Sequence, residues 1–122
     1  MYGKKNILLV EDDYLIAMAL RIRLIAEGYT IEVADRADRA LANARQSLPD
    51  AAVIDFNLPD GNGVELMSQM QALSVGRPIP VIITTANTNP ELAESAMQKG
   101  ASGFLEKPFL SEHLLEALEA AF

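Results

Sequence analysis

Charged and hydroxyl side chains stand at the ends of apolar runs in this chain. Glu11, Asp12 and Asp13 follow Ile7 to Val10, Asp55 follows Ala51 to Ile54, Thr84 and Thr85 follow Val81 to Ile83, and Lys107 follows Gly103 to Glu106. Clustered carboxylates repel one another unless positive charge lies among them, and a hard divalent cation answers that need. Mg²⁺ takes a few carboxylate and carbonyl oxygens together with water and phosphate oxygen, and these segments contain neither Cys nor His.

The elements that must position these groups follow from the hydropathy pattern. Ile7 to Val10, Ala51 to Ile54 and Val81 to Ile83 lack polar alternation, as strands buried on both faces of a parallel sheet do. Tyr29 to Val33 alternates, with Tyr29, Ile31 and Val33 on one side, and Gly103 to Glu106 is short and ends charged; both read as edge strands. Between the strands lie helical stripes. Leu15, Met18, Ala19, Ile22, Ile25 and Ala26 form the first, expected to face the core and to stop at Gly28. Ala37, Ala40, Leu41 and Ala44 form the second, and Leu66, Met67, Met70 and Leu73 the third. Asn89 and Pro90 open a fourth helix with Leu92, Ala93, Ala96 and Met97, stopped by Gly100, and the fifth carries Leu114, Leu115, Leu118 and Phe122. Five β/α pairs predict an α/β fold, a doubly wound five-stranded parallel sheet, and central strands one, three and four with edge strands two and five match the order 2-1-3-4-5 known for such sheets. Sheets of this kind bind ligands beyond the carboxyl ends of their strands, where the winding reverses, which is where the charged residues fall.

The 122 residues suit one domain spanning 1–122. Charged residues interrupt every apolar run before a membrane span can form, and the polar stretch Met1 to Asn6 is no secretory leader, so a cytoplasmic protein is expected. Cysteine is absent, which excludes disulfides and thiolate chemistry. A formal charge of −7 opposes binding to nucleic acid or anionic lipid by this domain.

ILLVEDD, VIDFNLPDG, VIITTA and GFLEKPF, in this order and at these strand ends, resemble the four motifs of response regulator receiver domains, and the similarity runs from about Asn6 to the last residue. The resemblance implies the flavodoxin-like receiver fold and a two-component phosphorelay protein. Asp55 would accept a phosphoryl group from a histidine kinase or a histidine phosphotransfer protein. Glu11 and Asp12 would position Mg²⁺ with Asp55 and the backbone carbonyl of Asn57. Thr85 would donate its hydroxyl to a phosphoryl oxygen, Lys107 would pair with the phosphoryl charge, and Phe104 would be the aromatic that changes rotamer. The surface of helix four, strand five and helix five would then bind an output partner or a second copy. The resemblance implies no enzyme in the ordinary sense, only a domain that catalyses its own phosphorylation and dephosphorylation.

Other residues read as structural. Asp13 suits an N-cap, Asp60 and Gly61 a turn, and Thr84, one position before Thr85 on a strand, faces away from it. His113, among Glu112 and Glu116, reads as a solvated residue, so phosphate must come from another protein. An aspartyl-phosphate phosphohydrolase of the haloacid dehalogenase kind resembles a DxD pattern where this chain has Asp55, Phe56, Asn57. A flavin-phosphate binder needs a first loop that welcomes phosphate, and three acids repel one.

Overall fold

The computed structural model describes residues 3–122, so the reading of the first residues as a leaderless start falls partly outside the described residues, at Met1 and Tyr2. Strands β1 (Asn6–Val10), β2 (Thr30–Ala34), β3 (Ala51–Asp55), β4 (Val81–Thr85) and β5 (Gly103–Glu106) make one parallel sheet in the order β2-β1-β3-β4-β5. Each crossover carries a helix: α1 (Tyr14–Ala26), α2 (Ala37–Gln46), α3 (Gly63–Leu73) and α4 (Pro90–Gln98), with α5 (Ser111–Ala121) closing the chain. The unbroken apolar runs are the central strands, and β3 and β4 are buried along their whole length. Alternate residues face opposite layers. Ile7, Leu9 and Val53 pack with Ala17, Leu24, Leu114 and Leu118 of α1 and α5, whereas Leu8, Val10 and Ile54 pack with Ala40, Ala44, Leu66, Met67 and Met70 beneath α2 and α3.

Helix boundaries follow the expected chemistry. The Asp13 carboxylate caps α1 by accepting from the N–H groups of Leu15 and Ile16, Asn62 caps α3 through Glu65, and Asn89 caps α4 through Glu91 with Pro90 in the first turn. Gly28 and Gly100 follow α1 and α4 with φ of 100° and 110°, the left-handed backbone that glycine adopts without steric cost.

The phase of α1 differs from the sequence expectation. Ala17, Leu20 and Leu24 face the core, while Leu15 and Ile22 are 77% and 64% exposed and Ile25 is exposed as well. The helix carries two apolar stripes on opposite faces, so periodicity fixes the helix but not its phase. The small Ala17 allows α1 to settle closely on the sheet. Val33 is likewise exposed at the open edge, and Ala34 is the buried residue of β2. Met97 on α4 and Phe122 are exposed too; Phe122 stacks on Tyr29 with ring centroids 6.2 Å apart.

The two stripes of α1 are separable by stability. Leu24→Ala should cost about 2–5 kcal/mol of unfolding free energy, as buried leucines do, and Ile22→Gln no more than about 0.5 kcal/mol. Urea denaturation of both variants checks this, and the reverse ranking would restore the sequence-derived phase.

Candidate phosphoacceptor and metal site

Val10 and Ile54 are register partners in neighbouring strands, so the residues that follow them, Glu11 and Asp55, leave the sheet side by side. Glu11 is 3% exposed and Asp55 6%. Asp12, one residue further along, is open to solvent, and a carboxylate oxygen from each of Glu11, Asp12 and Asp55 lies within 4.8 Å of the others. Three oxygen ligands at that spacing, two buried and one facing water, suit a hard divalent cation that keeps some of its waters.

Lys107, just beyond β5, reaches back over the sheet. Its ammonium donates to Glu11 Oε1 at 2.5 Å and to Asp55 Oδ2 at 2.8 Å. Burial pushes the Glu11 carboxyl above its usual range, the ammonium pulls it down, and nearby Asp55 raises it again, with the net direction upward. Burial pulls the Lys107 ammonium down, but its bonds to Asp55 and Glu11 outweigh that and hold its pKa above the ordinary value. Lysine is therefore charged wherever the domain is folded at neutral pH. The Lys107–Pro108 peptide is cis.

The loop after β3 is fixed from several sides. The Asn57 N–H donates to Asp55 Oδ1 at 3.2 Å, and Asn57–Leu58 pairs antiparallel with Gly61–Asn62 in a short hairpin. Asp60, read from the sequence as a turn residue, does more than turn the chain. Its carboxylate accepts from the N–H groups of Ala37 and Asp38 at 2.7 and 3.0 Å, capping α2, whose own N-cap residue Arg36 supplies no side-chain bond. These backbone N–H donors hold the Asp60 carboxyl below its usual range. Gly63 went unnoticed in the sequence. A Cβ there would stand 2.4 Å from the Asp55 carbonyl oxygen and 2.8 Å from Ile54 Cγ2, so only glycine lets α3 start against the end of β3. Its signal was a glycine in a first helical turn, directly after the Asn62 cap.

Thr85, at the end of the adjacent strand, is fully buried; its Oγ1 accepts from the Asn87 N–H at 3.0 Å. Strand alternation puts it on the face of Ile83, whose register partner is Phe104, and Thr84 on the other face. Phe104 is partly buried against the α2–α4 side of the core. The structure thus joins Glu11, Asp12, Asp55 and Lys107 directly, sets Asn57 beside Asp55, and places Thr85 and Phe104 along one face of the sheet. His113 is exposed, as expected.

The profile of the response regulator receiver domain matches residues 7–119. The chain belongs to this family. Receiver domains serve as phosphoacceptors in two-component signalling, and this chain is one of them. The response regulator MprA of Mycobacterium ulcerans is 34% identical over 115 residues, 94% of this chain and 49% of that protein. The chain spans about half the length of the curated relatives it matches. Among solved structures, the chemotaxis protein CheY4 of Vibrio cholerae superposes with a TM-score of 0.91 at 30% identity, covering 98% of this chain and all of that one. A Burkholderia pseudomallei response regulator, solved with a phosphorylated aspartic acid, a calcium ion and citrate, superposes with a TM-score of 0.85 at 27% identity, covering 94% of this chain and 66% of its own. No helix among the described residues is long and apolar enough to cross a membrane.

Removing the ammonium tests the electrostatics of this receiver. Lys107→Ala leaves Glu11 and Asp55 without their shared counter-charge and should lose about 2 kcal/mol of stability in EDTA, below the value for a fully buried pair because Lys107 is 18% exposed. Millimolar Mg²⁺ should restore more stability to the variant than it adds to wild type. Equal stability of the two proteins in EDTA, measured by urea denaturation, would show that Lys107 does not hold the cluster.

Proposed function

We propose that Asp55 is the phosphoryl acceptor of this receiver and that Glu11, Asp12, Asp55 and the Asn57 carbonyl hold Mg²⁺ beside it. The observation that carries this reading is the convergence of three carboxylates and one ammonium at the carboxyl ends of β1, β3 and β5. The Burkholderia relative, with its phosphorylated aspartic acid and bound calcium, supports the same assignment by likeness. The cation, when bound, draws charge from the phosphoryl oxygens. An Asp55 carboxylate oxygen attacks phosphorus in line, forming the P–O bond as the P–N bond to the donor imidazole breaks, and the electron pair leaves on the imidazole nitrogen. Lys107 meets the phosphoryl charge and keeps its bond to Glu11, while Thr85 turns its hydroxyl toward a phosphoryl oxygen. His113, the single histidine of the sequence, is an exposed residue of α5, and the donor is a histidine kinase or a phosphotransfer protein. The domain promotes its own phosphorylation and dephosphorylation and no other reaction.

The donor must bring its imidazole to the mouth of this site. The exposed α1 stripe of Leu15 and Ile22 begins two residues after the Asp13 cap, and Ile16, Ala19 and Leu20 line an apolar hollow with Lys107, Pro108 and Phe109. A phosphohistidine-bearing helix seated on α1 covers this stripe while it delivers the imidazole. The output surface is the face of α4, β5 and α5, where Met97 and Leu110 are exposed and Phe104 is partly buried. Residues 1–122 act as one receiver unit in the cytoplasm.

Incubation with acetyl phosphate and Mg²⁺ should add one phosphoryl group per chain, read by intact-mass spectrometry, with none added in EDTA. Asp55→Asn should gain none and keep its fold by circular dichroism. Undiminished phosphorylation of that variant would overturn the assignment.

A further inference from the structure

Between Thr85 and the first turn of α4, each second residue hands a hydrogen bond to the next. Thr85 Oγ1 accepts from the N–H of Asn87 at 3.0 Å, Asn87 Oδ1 accepts from the N–H of Asn89 at 2.9 Å, and Asn89 Oδ1 accepts from the N–H of Glu91 at 3.0 Å. The last link is the N-cap of α4. The first is the buried hydroxyl at the end of β4, and the links between lie on exposed backbone with no core side chain to hold them. Beside the backbone bond from the Leu92 N–H to the Asn89 carbonyl, local side-chain turns of this kind order the segment from Ala86 to Asn89. We propose that Asn87 and Asn89 are coupling residues, a side-chain relay that ties the start of α4 to the position of the Thr85 hydroxyl.

The relay rests on the reading of Asp55 as phosphoacceptor. When Thr85 rotates toward a phosphoryl oxygen, its Oγ1 leaves the Asn87 N–H, and that orphaned donor must find water. Asn87 then loses the constraint that aims its side chain at Asn89, and Asn89 in turn loses the constraint that aims it into the helix. The first turn of α4 loosens, on the same face of the sheet as Phe104. Beyond the bond from Thr85 to the phosphoryl oxygen no new contact is needed, because each link constrains only its successor.

Amide hydrogen exchange at Asn87, Asn89 and Glu91 tests this, with and without beryllofluoride and Mg²⁺ as a stable phosphoryl mimic. In wild type, all three amides should exchange about five-fold faster or more with the mimic, the factor expected for a lost cap. Asn87→Ala keeps the Thr85 link and cuts the next, so Asn89 and Glu91 should exchange fast without the mimic and change little when it is added. Asn87→Ser, whose hydroxyl can accept the same bond, should behave like wild type. A mimic-dependent change in Asn87→Ala as large as in wild type, or Glu91 protection unaffected by the mimic in wild type, would overturn the relay. Acetyl phosphate labelling of the same samples separates the two claims: a chain that takes no phosphoryl group at Asp55 refutes the acceptor, whereas a labelled chain with unmoved amides refutes the relay alone.

Discussion

Two nearly buried carboxylates, Glu11 and Asp55, share one ammonium, and the architecture of the domain is organised around keeping that arrangement. At an effective dielectric of about 20, carboxylate oxygens no more than 4.8 Å apart repel by at least roughly 3.5 kcal/mol per pair, while the 2.8 Å contact of Lys107 with Asp55 attracts by roughly 6 kcal/mol before desolvation is counted. Attraction and repulsion are of the same order, so the cluster stands in the folded protein without a metal. It still carries two net negative charges, from three acids and one lysine, and these draw a divalent cation. Three separate strands must end in register for this balance to exist.

The surroundings of Asp55 serve the same end. The glycine at 63 brings α3 against the Asp55 carbonyl, the Asn57 N–H fixes one carboxylate oxygen, and the Asp60 cap fastens the outer end of the loop to α2. The side chain is thereby held on rigid elements from both sides, and little reorganisation remains for the moment of phosphoryl transfer. The opposite side of the site is looser. The segment after Thr85 depends on local hydrogen bonds alone, which is where a switch can move at small cost.

Much of this was legible in the sequence. Strands buried on both faces announce themselves by unbroken apolar runs, which separated the central strands from the edges, and the order within the sheet was matched to the known doubly wound arrangement. Glu11, Asp12, Asp55 and Thr85 were legible because they close such runs, where an apolar-to-polar change has no packing reason, whereas Asn57, Phe104 and Lys107 were named through the resemblance of their motifs. The phase of α1 was not legible: Ala17, Leu20 and Leu24 compete with Leu15, Ile22 and Ile25 as a core stripe, and only contact with β1 and β3 decides between them. Asp60 was read as a turn residue because its partners, Ala37 and Asp38, lie far along the chain and offer backbone rather than side-chain groups. The place of Lys107 among the acids follows from their mutual repulsion, but which oxygens its ammonium bonds, Glu11 Oε1 and Asp55 Oδ2, depends on the reach of its side chain over the sheet, which only the folded chain shows.

Chemical mapping of the modified residue bears most directly on the claim that Asp55, and neither of its acidic neighbours, receives the phosphoryl group. Borohydride reduces an acyl phosphate to the alcohol, so treating the freshly phosphorylated protein and sequencing its peptides by mass spectrometry should reveal homoserine at position 55. Glu11 and Asp12 should be recovered unchanged. Reduction at Glu11 or Asp12, or a phosphoryl group on His113 that borohydride leaves in place, would contradict the account.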